Sequence, residues 1–166
     1  MQQQYWNQLS QFKFELCYFA AQFAKYVSIN RKIKIGVAVS SSVAIAAWAT
    51  CASLSFWWGL IIAVGQVVST VNAILPYQKR IEELSEMRPK LNALYISAEE
   101  KWFEVAEGKL SSEEINELSY KQLAEWEKIN QMYFREDALP KDDSCESQAE
   151  EEKNTYFTNK FGGREK

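Results

Sequence analysis

The residues of this chain that carry reactive chemistry are few, and their spacing matches no catalytic arrangement. Histidine is absent, which removes the commonest general base and the commonest metal ligand. A serine nucleophile therefore has no imidazole partner, and the Glu-x-x-His pair of carboxylate metal sites cannot be formed. Cys17, Cys51 and Cys145 are far apart and show no ligand spacing. Cys17 reads as packed, Cys51 as a small packing residue within an apolar run, and Cys145 as exposed. Glu99, Glu100 and Glu104 flank Trp102 and mimic a carboxylate cluster, but at this spacing they read as a solvated helix face. The glycines are Gly36, Gly59, Gly65, Gly108, Gly162 and Gly163, and no set of them has the spacing of a phosphate-cradling loop. The expectation is a protein that is not an enzyme and holds neither metal nor cofactor.

Positive charge is more informative. Arg31, Lys32 and Lys34 precede a long apolar window, and Lys79, Arg80 and Arg88 follow it. Two readings stand. These residues set membrane topology and touch lipid headgroups, or, in a symmetric homo-oligomer (a tetramer or similar), they stack into a basic ring that binds an anionic ligand. A nucleotide or single-stranded oligonucleotide has that chemistry, and Tyr77, Tyr95 and Trp102 offer faces on which bases stack.

The elements that position these residues begin with the window itself. Net charge is −3 and mean hydropathy is below zero, so averages suggest an ordinary acidic soluble protein. The averages conceal segregation: between Lys34 and Lys79 lie 44 residues with no Asp, Glu, Lys or Arg. That is about twice the ~20 residues needed to span a hydrocarbon core. Gly36 to Ala52 forms one apolar run, Ser53-Leu54-Ser55 a turn, and Phe56 to Leu75 a second run stopped by Pro76. The expected fold class is an all-α membrane protein with a two-helix transmembrane hairpin. The flanking basic residues place both chain ends on the cytoplasmic side. A cleavable signal peptide is not expected, because the window starts late and is too long.

At 100° per residue, Gly59, Ala63, Gln66, Thr70, Ala73 and Tyr77 fall on one stripe of the second span, opposite Trp57, Ile61, Val64, Val68, Val71 and Leu75. Gly36, Ser40, Ala47 and Cys51 form a small-residue stripe in the first. Such stripes permit close helix packing. In an oligomer, the stripe Gly59, Ala63, Gln66, Thr70 and Ala73 is instead the candidate lining of a pore.

Four regions follow: residues 1–34, an amphipathic helix; 35–78, the hairpin; 79–140, a cytoplasmic helical hairpin; and 141–166, an acidic segment. Leu9, Phe12, Leu16, Phe19, Phe23 and Tyr26 recur at steps of three and four, with Gln8, Gln11, Glu15, Gln22 and Lys25 on other faces. This helix packs in a protein bundle or lies on the inner leaflet. Ile81, Leu84, Arg88, Leu91, Tyr95, Ala98, Trp102 and Val105 form a heptad-like series. Pro89 predicts a kink or break near residues 87–89, and Gly108 a helix end. Ser111 to Glu114 has capping-box spacing, followed by Ile115, Leu118, Leu123, Trp126, Ile129 and Tyr133 as one apolar face. Ala149, Lys153, Tyr156, Phe157 and Phe161 recur at helical spacing, so residues beyond 141 form either a short final helix ending near Gly162-Gly163 or a solvated tail.

This layout resembles the small two-transmembrane effectors of bacterial anti-phage defence, the SLATT-like family, and within it the Hailong-type effectors. The resemblance covers most of the chain. It is carried by the N-terminal helix, the hairpin, the segment Lys101-Trp102-Phe103-Glu104-Val105 followed by Gly108-Lys109-Leu110-Ser111-Ser112-Glu113-Glu114-Ile115, and the stretch Ala149 to Phe161. It implies an inner-membrane, multi-pass protein that oligomerises into a pore and halts growth, beside a nucleotidyltransferase that makes a nucleotide or oligonucleotide signal. No ligand-binding residue carries over by matching. The competing expectations are a membrane anchor or scaffold that recruits a cytoplasmic partner, and a phage holin. The long acidic C-terminal region counts against the holin.

Overall fold

The computed structural model describes residues 1–40, 63, 77–134 and 139–162. Among them the chain is all-helical, with α1 (Gln2–Ser40), α2 (Tyr77–Ala106), α3 (Ser112–Tyr133) and α4 (Asp143–Phe161) and no strand. No helix among the described residues is long and apolar enough to cross a membrane. The runs assigned above to the two spans lie, apart from residues 36–40 and Ala63, outside the described residues. Two compact units divide the chain: Met1–Phe23 with Glu83–Lys166, and Ala24–Glu82.

The first unit is a helical bundle built on the apolar face of α1. Tyr5, Leu9, Phe12, Leu16 and Phe19 are buried at alternating spacings of four and three, one stripe of a helix. This stripe is covered by protein, which selects the bundle arrangement for this part of the helix. Tyr5, Val105 and Ile115 form a core cluster, with Trp102, Leu110 and Leu118 against it. Gln22, expected on a polar face, is instead 1% exposed, because its amide reaches the Tyr18 hydroxyl at 2.9 Å and the Pro140 carbonyl at 3.3 Å. The helix runs past Lys34, the expected boundary, to Ser40; nothing in Ile35–Ser40 stops it, and Gly36 alone costs about 1 kcal/mol against Ala.

α2 buries Leu84, Leu91, Tyr95, Ala98 and Val105 as expected, and adds Met87. It continues through Pro89 without the expected break. Proline removes one amide donor, which frees the carbonyl of Ser85. Both residues are exposed, so water can satisfy that carbonyl. The helix ends in a Schellman motif: Gly108 has φ +71°, its N–H donates to the Val105 carbonyl at 3.1 Å, and the Lys109 N–H donates to the Glu104 carbonyl at 3.0 Å.

α3 starts on the capping box. The Glu114 N–H donates to Ser111 Oγ at 3.3 Å and the Ser111 N–H to Glu114 Oε2 at 2.8 Å. Ser111→Ala removes one acceptor and is expected to cost about 1 kcal/mol, read as faster amide exchange at residues 112–115. The buried face of α3 is Ile115, Gln122, Trp126 and Ile129. Leu123 is 41% exposed, contrary to expectation, since Gln122 takes the inward position with a partner on α1. α4 resolves the two alternatives for residues beyond 141 in favour of a helix. Asp142 caps it by accepting from the Cys145 N–H at 3.0 Å, and Cys145 and Ala149 are buried. Cys145, expected to be exposed, is only 4% exposed.

Within the second unit, Tyr26 and Tyr77 meet with ring centroids 5.8 Å apart. Tyr26 is buried, as is Arg80.

Candidate functional site

The basic residues predicted to act as one set are divided. Arg31, Lys32, Lys34 and Lys79 are exposed, while Arg80 is only 8% exposed. All five belong to the Ala24–Glu82 unit, and Arg88 belongs to the other. The Arg88 guanidinium lies 5.2 Å from the centroid of the Phe23 ring. By sequence, residues 24–82 hold six of the lysines and arginines and only Glu82 among the acids. The remainder of the chain is strongly acidic. Ala63 of the pore-lining candidates is helical and exposed. Gly59, Gln66, Thr70 and Ala73 lie outside the described residues.

Of the three stacking candidates, two are structural. Tyr95 is 2% exposed, and Trp102 stacks on Tyr5 at 6.3 Å and meets Trp6 at 4.8 Å with the planes tilted by 45°. Trp6 also meets Phe157 at 4.9 Å and Phe161 at 5.1 Å. These rings tie the end of α4 to the start of α1.

The most developed polar cluster is centred on Glu99, which is buried rather than part of a solvated face. Its carboxylate accepts from the Tyr95 hydroxyl at 3.0 Å and the Tyr156 hydroxyl at 2.6 Å, and pairs with the Lys160 ammonium. Lys13 Nζ stands 3.6 Å from the Tyr156 ring centroid. Burial raises the Glu99 carboxyl, but the donors from Lys160, Tyr156 and Tyr95 outweigh it and hold the group below the usual carboxylate range. Burial, with the Glu99 charge beside it, drives the Tyr95 hydroxyl well above its ordinary value. The cluster therefore clamps α4 to α2. The shifts of Glu99 and Tyr95 both point away from neutral pH.

A second polar layer joins α1 to α3. The Tyr5 hydroxyl donates to the Ala98 carbonyl at 2.8 Å and accepts from Gln122 Nε2 at 2.8 Å. Gln8 Nε2 donates to the Ser119 carbonyl at 3.0 Å. Burial is the main cause that pushes the Tyr5 hydroxyl up from 10.0 to about 12, against the Gln122 bond, which lowers it. An unfolded tyrosine loses its proton first, so stability is full below pH 10 and is lost as pH rises through about 12. Tyr5→Phe is expected to flatten that alkaline slope in a chemical-denaturation series between pH 9 and 12.

Sequence reasoning missed Glu99, Gln122 and Tyr156 as organising residues. Only the helical spacing of Tyr156 with Phe157 and Phe161 hinted at a packed role. The geometry defines a class no finer than a polar-clamped helical bundle. No family model, curated protein or solved structure matches the chain.

Proposed function

We propose that this chain is an oligomeric membrane pore or ion channel, not an enzyme, that acts as a toxic effector in anti-phage defence. In this reading, residues 35–78 form a transmembrane hairpin in the bacterial inner membrane, with the bundle in the cytoplasm. A nucleotide or oligonucleotide from a partner nucleotidyltransferase gates the pore by binding two packings unequally. One observation carries the reading: 44 charge-free residues separate Lys34 from Lys79, with basic residues gathered at both edges. The exposure of Arg31, Lys32, Lys34 and Lys79 supports contact with lipid headgroups or an anionic ligand.

The test is ion flux from dye-loaded liposomes that contain the inserted protein, with and without nucleotides and short oligonucleotides. Flux that a ligand alters is expected. Conductance that persists with bulky residues at Ala63, Gln66 and Thr70 rules out the proposed lining. Absence of flux from inserted oligomers moves the assignment to a membrane anchor that recruits a partner. One observation favours that second reading: α3 leaves Tyr120, Leu123 and Met132 exposed at 66%, 41% and 50%.

A further inference from the structure

A groove of about 510 Å³ in the helical bundle is lined from α1, α2 and α4 and holds charges of both signs. Lys13 and Arg88 contribute the cations. Lys13 Nζ lies 3.6 Å from the Tyr156 ring centroid and 5.2 Å from that of Tyr95. Arg88 lies over Phe23. Aromatic faces thus hold both cations, and among the described residues neither has an ion-pair partner. A ring face attracts a cation without neutralising it, so the groove keeps positive potential for an incoming anion. The same groove contains Glu152. Its carboxylate accepts from Gln148 Nε2 at 2.9 Å. A carboxylate has about four lone-pair sites, which leaves room for a further donor. Asn92 adds an amide and Phe23 an apolar surface.

A simple anion in this groove faces Glu152, and a simple cation faces Lys13 and Arg88. A ligand with both charges meets both. The tetrahedral spread of phosphate oxygens suits cations that arrive from two helices, whereas a carboxylate is flat. We infer that the groove between α1, α2 and α4 binds a phosphoester that also carries a protonated amine, with the phosphate on Lys13 and Arg88 and the ammonium on Glu152. Two sources share this chemistry: a soluble phosphoethanolamine-type ester and the headgroup of an ethanolamine phospholipid. The inference does not rest on conduction, so it stands or falls apart from the pore reading.

The test uses the full chain in maltoside detergent, titrated with O-phosphoethanolamine by calorimetry. Saturable binding is expected, weakened roughly tenfold or more in Lys13→Gln and in Arg88→Gln. Arg88→Lys, which keeps the charge, retains most of it. Glu152→Gln is the deciding variant, because it weakens a zwitterion and strengthens a plain anion. A parallel arm compares ethanolamine with choline phospholipid retained by the protein from nanodiscs. Preference for the ethanolamine lipid that Glu152→Gln abolishes assigns the lipid source; binding of the soluble ester without lipid preference assigns the other. Tighter binding in Glu152→Gln, with inorganic phosphate competing equally well, overturns the zwitterion. No saturable binding in either arm, from protein that retains its helical circular dichroism, overturns the site.

Discussion

Trp126→Ala is expected to release α3 from the bundle at a cost of about 3–5 kcal/mol. Trp126 is 1% exposed and is the largest fully buried side chain among the described residues. Its ring stacks on Phe12 with centroids 4.1 Å apart and planes 5° from parallel. Its indole N–H donates to Glu15 Oε2 at 2.6 Å. Alanine removes the buried area, the stacking and the donor together. Trp126→Phe keeps most of the area and the stack and loses only the charge-assisted bond, worth about 1.5–3 kcal/mol. Amide exchange in α3 of the full chain measures both. A similar loss of protection in the two variants would show that the Glu15 bond, and not the packing, holds α3.

The second large effect falls on Glu99. Glu99→Ala leaves the Tyr95 and Tyr156 hydroxyls and the Lys160 ammonium without their shared acceptor. Removing one partner of a buried pair costs about 3–5 kcal/mol. The side chain of Lys160 is 39% exposed, so water recovers part of that ion's solvation and about 2–3 kcal/mol is expected. The effect should concentrate in α4, because Tyr156 and Lys160 both lie on it. The folded carboxyl sits below its ordinary value of 4.5. Its contribution is therefore fully present above that value and is lost as pH falls through the lower folded one. Glu99→Gln removes this acid dependence. If α4 exchange in Glu99→Gln keeps the acid slope of the parent chain, another carboxylate governs it.

Much of the fold was legible because its signals are local. The Ser111–Glu114 capping box and the glycine stop at Gly108 depend on residues within one helical turn, and both occur as expected. The stripe on α1 is equally local, since every member from Leu9 to Phe19 repeats on a period set by helix geometry. Pro89 misled for a related reason. Local chemistry states what a proline removes, but not whether the freed carbonyl has water beside it.

Residue patterns alone established helical periodicity up to Tyr133, the end of α2 at Gly108, the start of α3 at Ser111, and the segregation of charge around an uncharged window. Which polar residues belong inside was set by the packing of the helices. Gln22 and Glu99 read as solvated positions from their neighbours in sequence, and Gln122 drew no reading at all. Their partners are Pro140, Tyr156 with Lys160, and Tyr5, at separations of 118, 57 with 61, and 117 residues. A buried polar group is tolerated only where its hydrogen bonds are satisfied. That condition belongs to the assembled bundle and not to any window of the chain. Lys13, Arg88 and Glu152 likewise come together in one groove only because three helices pack there, across separations that no periodicity records.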